Sequence, residues 1–331
     1  MKIRSRLELV CPAGTPAALR TAISSGADVI YCGFRDATNA RNFPGLNFSR
    51  QEMEESIAFA HAHETRVAVA INTYPQAGHE HIWRQAIDDA ASFGADSILV
   101  ADIGLLAYTA ERHPGLRLHL SVQAAAANAD VIGFYCRNFG VRRVVLPRVL
   151  TVHEIAAINA EIECETEVFI FGGLCVMAEG RCSLSSYVTG QSPNRDGVCS
   201  PASHVVYRQD GENMVSMLGA FDIDRAGPGV AAPYPTLCKG SFTGKDFEGH
   251  VFEDPASLDA TALIENLAAA GVTALKIEGR QRSRAYVGQV IRNIRRMVDN
   301  YAVGLPIPAP VLQSLSEGQA TTEGAYRKKW R

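Results

Sequence analysis

The stretch Glu167–Ser185, EVFIFGGLCVMAEGRCSLS, decides how the rest of the chain is read. It starts as an unbroken apolar run, Val168 to Phe171, the pattern of a buried strand. Gly172 and Gly173 end that run, Cys175 follows at once, and Cys182 comes seven positions after Cys175, beyond Gly180. Glycines beside cysteines let the backbone fold close around a bulky inorganic group without Cβ clashes. Two further cysteines lie in turn-rich settings: Cys199 in GVCSP and Cys238 in YPTLCKG. The pattern predicts that Cys175, Cys182, Cys199 and Cys238 meet in space and hold one metal centre.

Upstream of this stretch, apolar runs alternate with helix-like segments at a regular beat. Strands are expected at Leu7–Val10, Asp28–Gly33, Val67–Asn72, Asp96–Asp102, Arg117–Gln123 and Arg142–Leu146. Helices are expected at 16–25, after Ser49, at 79–93, 103–112 and 130–139, and after Thr151. Thr15 before Pro16 is an N-terminal signal, and Ser49 with Glu52 and Thr151 with Glu154 read as capping boxes. An eighth strand appears only at Thr273–Ile277, after a helix expected over 257–270 and before one from Arg284 to about Tyr301. Eight strands alternating with helices predict an α/β fold, a (β/α)8 TIM-like barrel with a cysteine-bearing insertion between strands seven and eight. A doubly wound open sheet is the alternative, weakened by the lack of G-x-G-x-x-G after the first strand.

The domain reading follows. Residues 1–182 carry barrel strands one to seven, and 183–256 form the insertion with cluster cysteines. Residues 257–303 hold the last helix, strand eight and the final helix, and 304–331 are a Pro-rich tail. Weak strand signals inside the insertion lie at Val205–Tyr207 and Phe221–Ile223.

Bulk properties exclude several classes. The apolar fraction of 47%, the charged fraction of 20% and a net charge of −3 are those of a globular protein without a bulk nucleic-acid footprint. No secretory h-region and no run of ~18 apolar residues is found, so a cytoplasmic protein without a transmembrane segment is expected. There, eight cysteines read as metal or redox groups and core thiols rather than disulfides. Cys32, Cys136 and Cys164 read as core thiols, and Cys11 at the end of strand one as a lesser site candidate. His61, His63, His79 and His81 read as a solvated helix face, since H-E-x-x-H is absent. Ser185 and Ser186 lack a G-x-S-x-G elbow.

In a barrel the C-terminal strand ends face the active-site mouth. They supply Asn72, Gln123, Arg148, Glu278 and Arg280, with Asn39 and Arg41 on the loop after strand two. Arginine forks suit carboxylates and phosphates, so a small anionic ligand is expected there. For the cysteines, zinc and iron–sulfur clusters both use four thiolates. Wide gaps across a Gly/Pro-rich insertion suit a [4Fe-4S] cluster better than paired zinc knuckles. Zinc, or four thiols without metal, stays open. The absence of C-x3-C-x2-C argues against radical use of S-adenosylmethionine.

Taken together, these motifs resemble the collagenase-like peptidase U32 family. The likeness runs through CPAG at Cys11, DATNARNFPGLNF at Asp36, VVLPRVL at Val144 and AEGRC at Ala178. It continues through SYVTGQSPN at Ser186, CSPA at Cys199, YPTLCKG at Tyr234, KIEGRQRS at Lys276 and GAYRKKW at Gly324. Gly173 departs from the family's usual Ser or Ala. Within the family, the likeness is to the branch serving oxygen-independent ubiquinone biosynthesis. It implies a [4Fe-4S] cluster on Cys175, Cys182, Cys199 and Cys238. It also implies a heterodimer with a UbiV-like sibling barrel, a UbiT-like lipid-binding accessory protein, and hydroxylation of a ubiquinone ring precursor without oxygen. Relatives hydroxylate RNA bases, with prephenate implicated as hydroxyl source; prephenate would suit the arginine-lined mouth. The alternatives are a U32-type peptidase, an RNA base hydroxylase and a scaffold with a structural cluster. The negative charge and the lack of an appended RNA-binding segment count against the RNA reading.

Overall fold

Short apolar runs without polar alternation bury both faces, and the first seven strands of the computed structural model do so. They are β1 (Glu8–Pro12), β2 (Val29–Gly33), β3 (Arg66–Ile71), β4 (Ser97–Val100), β5 (Arg117–Leu120), β6 (Arg143–Val145) and β7 (Glu165–Gly173). Between them run α1 (Pro16–Ser24), α2 (Arg50–His61), α3 (Glu80–Ser92), α4 (Ile103–Arg112), α5 (Ala129–Phe139) and α6 (Val152–Glu161). The structure describes residues 7–194, 196–308, 312–316 and 320–327. The first six residues, Pro310 and the last residues of GAYRKKW therefore lie outside the described residues.

The helix starts form as their sequences dictate. Thr15 Oγ1 accepts from Ala18 N at 3.1 Å, with Pro16 at the first helical position. Ser49 and Thr151 each complete a capping box, with Glu52 and Glu154 respectively. Each cap is worth about 1 kcal/mol.

The insertion begins with the short helix α7 (Leu184–Thr189). It continues as an antiparallel sheet of β8 (Val205–Asp210), β9 (Asn213–Leu218) and β10 (Phe221–Ala226). A small ribbon of β11 (Ser241–Thr243) and β12 (Glu248–His250) follows. The expected helix over 257–270 starts later than its sequence pattern predicts. Ser257–Asp259 is a strand, β13, pairing antiparallel with the end of β7. Asp259 Oδ1 then accepts from Thr261 N at 3.1 Å, turning the chain before α8 (Ile264–Ala269).

Barrel closure comes from β14 (Ala274–Ile277), which pairs parallel with both β1 and β7. The eight parallel strands thus form a closed barrel, ringed by helices that include α9 (Arg284–Ala302). The tail returns to the body: β15 (Thr321–Thr322) pairs with β13, and Tyr326 Oη donates to Phe169 O at 2.6 Å. Among the described residues no helix is long and apolar enough to cross a membrane.

The buried cations of the barrel wall are paired, Arg143 with two carboxylates that are themselves partly exposed. Arg143 of β6 meets Glu8 and Glu165, each at 2.5 Å, and Lys276 of β14 meets Glu167 at 2.5 Å. Such ions persist in a low-dielectric interior only when paired, which this cluster achieves.

Candidate functional site

The mouth is built where the insertion backbone presses onto the C-terminal strand ends. Gly180, at φ 80°, lies so close to the turn after β5 that a Cβ would sit 1.8 Å from Gln123 O. Gly197, at φ 75°, would clash likewise at 2.1 Å from Ala40 O. Only glycine permits both the left-handed backbone and these approaches. The two glycines dock the loops carrying Cys182 and Cys199. Arg41 adds to the second contact, donating to Gly197 O at 2.8 Å and to Ala40 O at 2.9 Å.

The four predicted cysteines line one open cleft of about 1110 Å³, open solvent included. All four thiols are free. Cys175 follows β7 and directs Sγ to Met177 O at 3.2 Å. Cys182 O accepts from Asn194 Nδ2 at 3.0 Å. Cys238 sits in a tight turn held by Lys239, whose Nζ donates to Ala256 O at 2.7 Å. Burial pushes the Cys238 thiol up to about 12, and Cys199 and Cys182 add to it. Burial first, then Glu179 and Cys238, push Cys175 up to about 12 as well. Cys175 and Cys238 are thus held toward the neutral thiol, and a positively charged inorganic group beside them would reverse that. Among the described residues no three His, Cys, Asp or Glu side chains close on a single ion. The thiols line the cleft without closing on one ion; a multi-iron group does not need such closure, because each thiolate of a cluster takes a different iron.

Below the cleft lies a smaller recess inside the barrel mouth. Arg41, Asn72, Gln123, Arg148, Glu278 and Arg280 line it, whereas Asn39 stands behind its wall. Asn72 is committed to the scaffold: Oδ1 accepts from Ala40 N at 3.1 Å and Nδ2 donates to Ser121 Oγ at 3.2 Å. Asn39 Oδ1 accepts from Arg280 Nη1 at 2.8 Å and Arg41 N at 3.1 Å.

The two buried arginines differ. Arg148 is fully engaged: Nε donates to Glu179 Oε1 at 2.6 Å, Nη1 donates to Gly173 O, and the guanidinium stacks over Phe169 at 4.1 Å. Burial opposes its charge, but Glu179, Cys175 and Glu278 together outweigh that and raise its pKa. Arg280 has Asn39 and the face of Tyr31, 5.3 Å away, and pairs with no carboxylate among the described residues. Burial first, and then Arg41, lower it to about 10. Glu278 accepts from Gly173 N at 3.0 Å. Its burial alone would raise its pKa, yet Arg41, that N–H, Arg148 and Arg282 together hold it below the ordinary value.

Sequence reasoning missed Glu179, Tyr31 and Phe169, which shape this recess. Glu179 stood in the quoted AEGRC motif between two site cysteines, and that was the available signal. Asp102, read as a strand-end group, instead caps α4 by accepting from Leu105 N at 2.9 Å. Cys11 is buried with Sγ toward Leu9 O, away from the cleft. Cys136 and Cys164 are half-buried, and each perturbs the other's ionisation.

Comparison with known proteins adds the following. The family described as peptidase family U32 matches residues 14–318. The tRNA hydroxylation protein P of Escherichia coli (strain K12) is 31% identical over 97% of this chain and 74% of its own length. The 23S rRNA 5-hydroxycytidine C2501 synthase of the same organism is 30% identical over 89% of this chain and 39% of its own length. A collagenase of Porphyromonas gingivalis (strain ATCC BAA-308 / W83) is 27% identical over 90% of this chain and 66% of its own. With the family pattern spanning the barrel and the cysteine cleft alike, the chain belongs to peptidase family U32.

Proposed function

We propose that this chain is the iron–sulfur subunit of an oxygen-independent ring hydroxylase, with a [4Fe-4S] cluster on Cys175, Cys182, Cys199 and Cys238. The observation that carries the reading is four free thiols around one cleft, two on the β7–α7 connection and two further along the insertion, beside a recess lined by the buried Arg280, which has no ion pair among the described residues. Hydroxylation as the reaction class is supported by the hydroxylation roles of the two Escherichia coli relatives. A cluster held there supplies one-electron redox chemistry, and four thiolates leave no iron open to substrate. The protein's own groups do the rest. Arg280 offers donors to an anion, Arg148 holds the Cys175 corner through Gly173 and Glu179, and the insertion covers the mouth.

Two ring substrates come into question. The motif set favours a UbiU-like role on a ubiquinone precursor, with a UbiV-like barrel as heterodimer partner, a UbiT-like accessory protein, prephenate as hydroxyl donor, and a cytoplasmic site. The named relatives favour an RNA base instead. Arg41, Arg148 and Lys239, three cations of the cleft, turn to protein oxygens rather than outward, which suits a small ligand better than a phosphate backbone. The peptidase reading has the collagenase and an uncharacterized protease of Methanocaldococcus jannaschii, 35% identical over 57% of this chain, behind it.

The test is anaerobic purification with the partner barrel, iron and sulfide analysis, and a visible spectrum for wild type, Cys175→Ala and Cys238→Ala. About four irons and four sulfides, lost in both variants, are expected. Zinc, or no metal in a folded active protein, would overturn the cluster. Quinone and nucleoside profiles of a deletion strain grown without oxygen then separate the substrates. Loss of quinone is expected, and loss of a hydroxylated nucleoside alone would move the reading to RNA.

A further inference from the structure

Of the 17 large apolar side chains that the described residues leave exposed, 11 lie in the insertion 183–256, under a quarter of the chain. The lobe, rather than the barrel, therefore carries the surface that folding leaves uncovered. Four of them fall within one short stretch, Ser241–Asp254, SFTGKDFEGHVFED. Phe242, Phe247, Val251 and Phe252 there are 38%, 49%, 56% and 52% exposed. The stretch is the β11–β12 ribbon and the turn after it. In the ribbon's register Phe242 stands opposite Gly249, which has no side chain to cover the ring. Phe252 approaches it edge-on instead, with ring centroids 6.0 Å apart. The ribbon is tied at both ends. Gly244 N donates to Phe247 O at 2.7 Å at its turn, and His250 Nδ1 donates to Lys239 O at 3.0 Å at its base, next to Cys238. The rings are thus presented on an ordered scaffold, which lowers the entropy lost when they are covered.

Charge says what can cover them. The same stretch carries Asp246, Glu248, Glu253 and Asp254 against one cation, Lys245. Its net charge of −3 equals the formal net charge of the whole chain. Asp246, Glu248 and Asp254 are exposed and make no ion pair among the described residues. A phosphate backbone or an anionic bilayer is repelled by such a rim. A second copy in two-fold contact would set the patch against itself, carboxylate against carboxylate. A protein surface of the opposite sign meets both the rings and the rim.

We propose that the ribbon Ser241–Asp254 is a docking surface for a partner protein whose apolar contact patch is edged by lysines and arginines. The rings supply the desolvated centre of the contact, and the carboxylates orient the encounter from its rim. Because the base of the ribbon is bonded to Lys239, the partner sits beside the Cys238 corner of the cleft. The surface is assigned whatever reaction the mouth performs, so it neither needs the hydroxylase reading nor falls with it.

The experiment uses the full chain, purified anaerobically, and two synthetic amphipathic helices that share a leucine face. One carries lysine on its polar face and the other glutamate. Fluorescence anisotropy reads their affinities. The lysyl peptide binds about 10-fold tighter or more, and weakens as salt rises. Phe247→Ser with Phe252→Ser lowers its affinity by about 10-fold or more. Asp246→Lys with Glu248→Lys removes the preference for it. All four side chains are exposed, so the melting temperature of each variant stays close to wild type, which separates lost docking from lost folding. Phe134→Ser, at an exposed ring on α5 outside the ribbon, changes neither affinity. Equal affinity for the two peptides, or a preference that the ribbon variants leave intact, overturns the proposal. So does an RNA oligomer that displaces the lysyl peptide from the ribbon, or a wild-type dimer that Phe247→Ser with Phe252→Ser dissolves. The occupant is then a nucleic acid or a second copy. Binding is read without turnover, so either result leaves the hydroxylase reading to its own test.

Discussion

Removing Arg148 while keeping Glu179 leaves a carboxylate inside the protein with neither oxygen paired. The two side chains are 5% and 6% exposed, so water cannot replace the lost partner. Breaking a buried pair from one side costs about 3–5 kcal/mol. Arg148→Met keeps the stem packed on Phe169 and so isolates the charge and hydrogen-bond loss from a cavity. At this chain length the loss corresponds to a fall of roughly 4–7 °C in melting temperature. Adding Glu179→Gln removes the stranded charge and should restore about half of the fall. The metal readout moves in the same direction. Arg148 Nη1 donates to Gly173 O, two residues before Cys175, so iron retained after gel filtration should drop in Arg148→Met. Calorimetry and iron analysis on the four proteins of the cycle measure both. Single variants within about 1 kcal/mol of wild type, or strictly additive effects, would refute the pair as the anchor of this corner.

Two further predictions follow from the same geometry. Gly180→Ala must move either the Cys182 loop or the Gln123 turn, because φ is 80° and a Cβ would meet backbone at 1.8 Å. A melting temperature several degrees lower is expected from about 1–3 kcal/mol of strain, and an unchanged value would mean that the contact is loose. Glu278, whose folded pKa is depressed, contributes stability that is full above its ordinary value and lost as pH falls through the lower folded value. Glu278→Gln should therefore narrow the difference in melting temperature between neutral and strongly acidic pH, and an unaltered acid limb would contradict this.

The barrel was legible because its signals are local. The alternation of apolar runs with capped amphipathic segments places α4 at Ile103–Arg112, the range expected, and both capping boxes form. Errors arose where pairing partners lie far along the chain. Ser257–Asp259 looks helical in context, yet the end of β7 recruits it as a strand. β9 was missed although Asp210-Gly211 is a strong hairpin signal and Gly211 takes φ 60°. Met and Ser in that strand lack β-branching, which hides it from a propensity reading. The four cysteines could be grouped by their glycine-rich settings. Glu179 could not be given a role, because its meaning depends on Arg148, 31 residues away.

β7 deserves a mechanical description. Its first residues pair with β6, its middle with β14, and its last with β13, which follows the insertion directly. One unbroken strand is thus both a barrel stave and the root of the cysteine lobe. The pairing of β13 with the end of β7 ties the base of the lobe to the barrel wall, so displacing that base breaks hydrogen bonds of the wall. The distance from the thiols to the recess is set by a rigid beam. A redox group carried there would face its substrate at a fixed separation, with little reorganisation of the protein accompanying each electron.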